Sequence, residues 1–200
     1  MLRWGMHLRR HFAVLCLVCG SIVLGGCAPI GRLLRPSVEL SKSAVVLNVP
    51  YHRQTSEDLC GLAVAEILTD YYHVPLSAAG RKQLLQEANK TSGISGATLK
   101  AVLQEAGYFA AVFRGSLDHQ VTGLYYNLDR RRPLVIMYLR KGSDLGHYVV
   151  VTGYDRAQGL LVVLDPATGR RVERKGRFLA RWDGSGRFTL LAMPRSRGGP

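Results

Sequence analysis

The chain has 200 residues, of which 47% are hydrophobic, so it is long enough for one ordinary domain and too apolar for a disordered protein. Its 22 glycines and 8 prolines follow no period, which excludes collagen-like, low-complexity and repeat architectures. A net charge of +13 leaves anionic partners open, whether lipid, acidic polypeptide or nucleic acid.

Residues 1–26 have the pattern of an export signal. Three arginines and no acidic residue come first, and an apolar run from Phe12 to Leu24 follows, which is short for a membrane span. The quartet Leu-Gly-Gly-Cys that ends at Cys27 resembles a bacterial lipobox, which implies cleavage before Cys27 and lipidation of its sulfur. A plain signal peptide cleaved nearby and a weak membrane anchor are the alternatives.

Lipidation of Cys27 would attach the mature chain to a membrane of the bacterial cell envelope, facing the periplasm. Because Ala28 follows the cysteine, the sorting rule of enteric bacteria implies the outer membrane. Residues 27–43 mix prolines with polar residues and no sustained period, so we expect a lipidated tether there. Loss of the signal removes three cations, lowers the net charge to +10, and leaves Cys60 as the one free thiol.

The positive charge is concentrated late in the chain. Residues 156–200 contain ten Arg or Lys against three acidic residues, and Arg130–Arg132 form a second basic run. An exported chain meets anionic lipid or acidic polypeptide first, so we expect no nucleic-acid partner. A solvated basic face without any partner is the alternative.

The predicted domain covers residues 44–194, and a flexible tail is predicted at 195–200. A short β-rich run begins the domain, and a polar loop then leads to Cys60 and a helix over 62–72, where apolar residues recur at three- and four-residue spacing. Cys60 therefore lies at or just inside a helix N-terminus. Unpaired N–H groups and the helix dipole stabilise a thiolate at such a position.

Helices come first in the rest of the chain and strands come later. Further helices are predicted at three segments, namely 77–88, 96–106 and 118–128. Strands are predicted at 109–113, 134–139, 147–153, 160–164, 170–174 and 188–193. This order predicts an α+β fold in which N-terminal helices pack on a C-terminal antiparallel sheet.

Two polar residues lie at the ends of neighbouring predicted strands. His147 begins one strand and Asp165 ends the next, and a hairpin centred on residue 156 would set them opposite each other, with Cβ atoms about 4.5–5.5 Å apart. Asp165 would then accept a hydrogen bond from one imidazole nitrogen while the other nitrogen faces Cys60. This nucleophile–base–orienter arrangement is what thiol acyl transfer requires.

Gln54, six residues before Cys60, is a candidate oxyanion-hole donor beside the backbone N–H of Cys60. Each residue also has a structural interpretation: a core cysteine packs as a small hydrophobe, a strand-end histidine forms a hydrogen bond, and Asp165 before proline starts a turn. No cluster of potential ligands has metal-site spacing, so we expect no metal and no cofactor.

Together these residues resemble the C39 peptidase family, papain-like cysteine peptidases best known as the leader-cleaving domains of bacteriocin-exporting ABC transporters. The resemblance runs from about Val49 to Pro194. The motifs that carry it are Val49-Pro50-Tyr51 with Gln54, Cys60-Gly61 with Ala63, His147-Tyr148-Val149-Val150-Val151, Asp165-Pro166-Ala167 with Gly169, and Phe178 with Trp182. It implies a papain-like fold with Cys60 as nucleophile, His147 as general base and acid, Asp165 as orienter and Gln54 as oxyanion donor.

The resemblance further implies a free-standing, cell-envelope cysteine endopeptidase that cleaves a peptide bond of an exported or surface-assembled protein or leader. Two alternatives remain: a non-catalytic C39-like module that holds a substrate for export, and another thiol acyl-transfer enzyme or peptidoglycan hydrolase. The joint presence of Cys60, His147 and Asp165 counts against the first. The spacing of Gln54 and the Asp165-Pro166 hairpin favour C39 over the second.

Overall fold

A seven-stranded antiparallel sheet lies at the centre of the computed structural model, which describes residues 38–139 and 146–195. The strands are β1 (Val45–Val46), β2 (Tyr108–Arg114), β3 (Leu134–Leu139), β4 (Gly146–Asp155), β5 (Leu160–Asp165), β6 (Gly169–Arg174) and β7 (Phe188–Pro194). They pair in the order β2-β7-β3-β4-β5-β6, and β1 pairs with β4. The helices are α1 (Cys60–Tyr72), α2 (Ala78–Thr91), α3 (Gly96–Glu105), α4 (Leu124–Asp129) and α5 (Lys175–Asp183).

Helices cover both faces of the sheet, and this explains why its central strands are continuous apolar runs. Side chains alternate between the two faces along each strand. On β4, Val150 belongs to the core formed with α1, α2 and α3, whereas Val149 and Val151 belong to the core formed with α4 and α5. The predicted α+β class, with N-terminal helices packed on an antiparallel sheet, is confirmed.

Serine caps position two of the predicted helices. The Ser77 hydroxyl accepts a hydrogen bond from the Gly80 N–H at the start of α2, and Ser95 accepts one from Thr98 at the start of α3. These bonds satisfy N–H groups that have no partner inside the helix, so both helices begin close to the predicted positions.

The predicted helix over 118–128 is wrong in its first half, because α4 begins only at Leu124. The Asp118 carboxylate accepts a hydrogen bond from the Gln120 N–H at 2.9 Å, and the Gly123 N–H donates to the Gln120 carbonyl at 2.7 Å. These local bonds stabilise a turn in place of the first helical turn. Helix α5, for which no helix was predicted, buries only Phe178 and Trp182.

Contacts with the sheet begin before the predicted domain start at residue 44. Gln158 donates to the Glu39 carbonyl at 2.9 Å, and the Ser41 N–H donates to the Asp155 carboxylate at 2.6 Å. The predicted signal at 1–26, the lipidation site Cys27, the tether up to residue 37 and the tail from residue 196 lie outside the described residues. None of the helices in the described part of the chain is long and apolar enough to cross a membrane.

The predicted register of the β4–β5 hairpin is wrong by two residues. Val150 pairs with Leu164, and the register shifts at an irregularity between Val151 and Gly153. Continued along β4, this pairing places Asp165 opposite Val149 and not opposite His147. Because a two-residue offset preserves the face of the sheet, the side chains of His147 and Asp165 still point the same way, as diagonal neighbours within reach.

Candidate active site

Cys60 is the first residue of α1, directly after a 3₁₀ turn at Glu57–Leu59. Cys60 is 5% exposed, and its thiol is free. The next residue, Gly61, packs so closely on the segment before α3 that an added Cβ would lie 2.8 Å from the Ile94 Cβ. Glycine at this position therefore allows the thiol-bearing end of α1 to approach that segment.

His147 and Asp165 form a buried pair beside Cys60. His147 Nε2 lies 2.8 Å from Asp165 Oδ1, and both side chains are almost fully buried. Asp165 Oδ1 also accepts a hydrogen bond from the Ala167 N–H at 2.8 Å. Since Asp165 occupies Nε2, Nδ1 is the ring nitrogen left for an interaction with Cys60, which acts on the imidazole. The structure thus brings together Cys60, His147 and Asp165, in the order that the sequence predicts.

The pKa values of the two residues in the buried pair are shifted in opposite directions. Burial disfavours the charged imidazole, but hydrogen bonds with Asp165 and Cys60, and the charges of both groups, outweigh burial and raise the pKa of His147 to about 9. Burial disfavours the Asp165 carboxylate as well, but the hydrogen bond and charge of His147, the Ala167 N–H and the Arg171 charge lower its pKa to about 2. An imidazolium–carboxylate pair therefore persists at neutral pH.

The pKa shifts predict a pH-dependent contribution to stability. Because the pKa of His147 is raised, its contribution to the unfolding free energy is fully present below about pH 6.5 and is lost as pH rises through about 9. The lowered pKa of Asp165 makes its contribution present above about pH 3.8 and lost as pH falls through about 2. Near pH 5, Asp165→Asn is expected to lower the unfolding free energy by about 2 kcal/mol.

Urea unfolding at several pH values measures this difference, which should shrink from about pH 5 to about pH 9.5. Asp70→Asn is the matched control, because Asp70 pairs with His52 on the surface, where its side chain is 56% exposed. We expect that change to cost less than about 1 kcal/mol. A deficit of Asp165→Asn that stays constant over this pH range would contradict the assignment of a charged buried pair.

Gln54 lies on the loop before Cys60, next to the turn after β5. Its backbone N–H donates to the Pro166 carbonyl at 3.0 Å. The side-chain amide donates to the Ser56 carbonyl at 2.8 Å and lies 3.4 Å from the Glu57 carbonyl, so it faces the backbone of its own loop. Its role as an oxyanion donor stays a prediction.

A cleft of about 330 Å³ opens beside Cys60. Its lining comes from the 3₁₀ turn, the C-terminal part of α2, the α2–α3 connection, and strands β3 and β4. It includes Glu87, Ile94, Met137 and Tyr148. Burial and the charges of Cys60 and Glu87 raise the pKa of Tyr148, which keeps this hydroxyl a hydrogen-bond donor at neutral pH. The cleft is thus an approach to the thiol that offers both apolar and polar contacts.

A larger cavity of about 800 Å³ lies at the opposite end of α1, beside Asp70 and His73. It contains none of the predicted site residues, and the position of the thiol therefore favours the smaller cleft as the reaction site. Within residues 38–139 and 146–195, no group of three or more His, Cys, Asp or Glu side chains is placed to hold a metal ion.

Two charged residues behind Asp165 were not predicted from the sequence. Arg171 Nη2 lies 2.7 Å from Asp165 Oδ2 and 3.1 Å from Glu173 Oε1. Glu173 is 6% exposed. In the sequence, residues 170–174 have the composition of a solvated, charged edge strand, and no signal there marks the two residues that point inward.

The comparisons identify a family and a fold. The profile of the Peptidase_C39 like family matches residues 46–189. The peptidase domain of Streptococcus ComA, a bi-functional ABC transporter involved in a quorum sensing pathway, is similar in structure, with a TM-score of 0.57 and 21% identity over 72% of this chain and 98% of that chain. No curated protein matches the chain significantly.

Two further solved structures are similar. A double glycine motif protease from an AMS/PCAT transporter, in complex with the leader peptide, has a TM-score of 0.57 and 19% identity, covering 75% of this chain and 94% of that chain. A Bacillus anthracis protein, provisionally identified as a C39-like peptidase, has a TM-score of 0.59 and 17% identity over 77% of this chain and 99% of that chain. These likenesses confirm the predicted papain-like fold.

Proposed function

The chain belongs to the Peptidase_C39 like family, and from this premise we propose that it is a cysteine endopeptidase that cleaves a peptide bond through Cys60, His147 and Asp165. The observation that carries the proposal is the buried His147–Asp165 pair near Cys60, which begins α1 and lines the cleft. A thiol, a base and an orienting carboxylate in hydrogen-bonding sequence are the parts that acyl transfer needs.

In the proposed acylation step, the Cys60 thiolate attacks the carbonyl carbon of the scissile bond and forms a C–S bond. The charge that develops on the carbonyl oxygen is stabilised by the backbone N–H of Cys60 at the helix N-terminus. The His147 imidazolium then gives its proton to the leaving amine as the C–N bond breaks. The product is a thioester on Cys60 and a free amino terminus.

In the proposed deacylation step, neutral His147 takes a proton from water, and the resulting hydroxide equivalent attacks the thioester carbonyl. The C–S bond breaks, a carboxyl terminus leaves, and the thiolate–imidazolium pair is restored. Asp165 stays ionised throughout, since its pKa is held near 2, and it orients the ring. Gln54 would join the oxyanion site when its amide turns away from the carbonyls of Ser56 and Glu57.

The proposed substrate is an extended polypeptide that is exported or assembled at the cell surface. Support comes from the similar double glycine motif protease, which is solved with a leader peptide. The presence of all three reacting groups supports catalysis over a module that only binds and holds a substrate. The match to a peptidase family supports peptide over peptidoglycan as the substrate.

The proposal is tested by incubating the full-length protein with a peptide library derived from a bacterial envelope proteome. Mass spectrometry should find new carboxyl and amino termini at one preferred sequence, together with a transient acyl adduct on the peptide that contains Cys60. New termini without any adduct, or termini that also form with Cys60→Ala, would contradict catalysis by this thiol.

We also propose that Cys27 carries the lipid that attaches the protein to the outer membrane of the cell envelope, facing the periplasm. Support comes from the lipobox-like quartet that ends at this cysteine and from Ala28 after it. In bacteria that express the full chain, Cys27→Ser should move the protein from the membrane fraction to the soluble fraction and remove the mass of the acyl chains. Cys19→Ser, within the predicted signal, is the matched control and should change neither. Membrane attachment and an unchanged mass in Cys27→Ser would contradict this proposal.

A further inference from the structure

A network of charged side chains lies behind Asp165, on the side away from His147. Arg171 lies between two carboxylates, with Nη2 2.7 Å from Asp165 Oδ2 and 3.1 Å from Glu173 Oε1. Both carboxylates are buried, with side chains 3% and 5% exposed. Burial of a carboxylate lowers the free energy of unfolding unless a cation and hydrogen bonds compensate for the lost water. Two such carboxylates around one arginine therefore indicate a specific role.

Glu173 is itself held from two other elements. Arg181 on α5 donates to Glu173 Oε1 at 3.0 Å, and the Tyr138 hydroxyl on β3 donates to Oε2 at 3.3 Å. The Arg181 guanidinium also lies over the Tyr138 ring, 4.0 Å from its centroid. Burial and the charge of Glu173 raise the pKa of Tyr138, so this hydroxyl keeps the proton that it donates.

The topology explains why these residues meet Asp165. Arg171 and Glu173 are two residues apart on β6, so their side chains point to the same face of the sheet. Strand β6 pairs with β5, where Arg171 stands opposite Val163, and Asp165 is the next residue of β5 on that face. A continuous series of side-chain contacts therefore leads from α5 through Glu173, Arg171 and Asp165 to His147, next to the thiol.

We propose that Arg171 and Glu173 are positioning residues of the active site: Arg171 binds one oxygen of Asp165, Glu173 anchors Arg171, and Asp165 is thereby kept with its other oxygen on His147. The inference rests on the proposed function, because it assigns these residues to the reactivity of Cys60. Without Arg171, Asp165 Oδ2 would lose its ion pair, and the carboxylate would be free to rotate away from the imidazole.

Arg171 contacts both carboxylates as ion pairs and not as well-formed hydrogen bonds, since its Nη2 and Nε have no hydrogen-bond partner among the described residues. Position 171 therefore requires a long, positively charged side chain, but not the bidentate hydrogen bonding of a guanidinium. Lysine should replace arginine here with little loss, whereas glutamine, similar in length but neutral, should not.

The rate of Cys60 alkylation as a function of pH tests the inference and needs no substrate. Iodoacetamide is added to the full-length protein, and mass spectrometry quantifies the peptide that contains Cys60, so other cysteines do not contribute. Within residues 38–139 and 146–195, the groups that act on His147 are Asp165 and Cys60, and those that act on Asp165 are His147, Arg171 and the Ala167 N–H. The change in alkylation rate at alkaline pH, here called the alkaline limb, follows deprotonation of His147. It therefore reports on the His147–Asp165 contact.

Arg171→Gln is expected to slow alkylation near neutral pH by about tenfold, because small misplacements of a catalytic group have effects of this size. The alkaline limb should move down from about pH 9, since a weakened contact with Asp165 stabilises the imidazolium less. Arg171→Lys should stay within about threefold of the wild type. Arg170→Gln is the matched control and should change nothing, because Arg170 is exposed on the same strand.

Two outcomes would overturn the inference. In one, Arg171→Gln has the same alkylation rate and pH dependence as Arg170→Gln, or it keeps the wild-type rate and moves the alkaline limb to higher pH. The latter shift is what loss of a nearby cation alone would cause. In the other, Arg171→Lys is as slow as Arg171→Gln. If Arg171→Gln does not fold, Glu173→Gln replaces it, with an expected loss of about threefold that Arg170→Gln lacks. If instead His147→Ala leaves alkylation unchanged, the proposed function fails and not this inference alone.

Discussion

Replacing Cys60 with alanine is expected to reduce the rate of peptide-bond cleavage by at least about 10⁴-fold, because the nucleophile of the acyl-transfer reaction is lost. The fold should survive, since cysteine at a 5% exposed position packs as a small hydrophobe and alanine removes one atom. We expect the unfolding free energy to change by about 1 kcal/mol or less.

The measurement compares cleavage of one identified peptide by the wild type, Cys60→Ala and Cys60→Ser. The serine variant keeps a hydrogen-bonding group beside His147 but has no thiolate, so it should be as inactive as the alanine variant. Both should bind the peptide with an affinity within about threefold of the wild type, because neither changes the cleft lining otherwise. Retained cleavage by a folded Cys60→Ala protein would refute the proposed nucleophile.

Replacing His147 with alanine is expected to have the second largest effect, on cleavage and on the reactivity of Cys60 itself. At about pH 6.5 the wild-type imidazole is protonated, since the pKa of His147 is raised to about 9, and it stabilises a thiolate beside it. Without it, no imidazole lies beside the thiol to promote loss of its proton, and alkylation should be tenfold to a hundredfold slower, in order of magnitude, at pH 6.5.

His52→Ala is the control for this experiment. His52 also pairs with an aspartate, Asp70, but its side chain is 34% exposed and lies outside the cleft. Alkylation of Cys60 in this variant should match the wild type across the whole pH range. Equal rates in His147→Ala and the wild type at about pH 6.5 would show that Cys60 and His147 do not act as a pair.

Local patterns were sufficient to predict much of the site. The helical spacing after Cys60 predicted a helix that begins close to it, and the structure starts α1 at that residue. His147 and Asp165 were predicted at strand ends, and both lie on β4 and β5 as expected. These features depend on residues near one another in the chain, where periodicity and capping act directly.

The register of the β4–β5 hairpin could not be predicted from such local patterns. Alternation along a strand identifies the face on which a side chain lies, but it does not distinguish offsets of two residues. In the structure Asp155 pairs with Leu160, so the turn lies later than predicted and offsets the register by three residues, and the irregularity between Val151 and Gly153 removes one of the three. At this irregularity β1 packs so closely that a Cβ on Gly153 would lie 2.5 Å from the Val45 carbonyl oxygen. Val45 is distant in sequence, so nothing in the hairpin itself indicated this contact.

The fold class, the helix that presents Cys60 and the family to which the chain belongs could all be predicted from the amino-acid sequence alone. Each of these depends on hydrophobic periodicity, on turn residues, or on motifs that are contiguous in the chain. The folded arrangement was needed to show that the Gln54 amide faces its own loop and that Arg171 and Glu173 lie inward behind Asp165. Arg171 and Glu173 are placed by Asp165 on β5, Tyr138 on β3 and Arg181 on α5, and pairing between side chains of different elements leaves no local pattern. The Gln54 amide bonds within its own loop, whose backbone is held by the Pro166 carbonyl after β5.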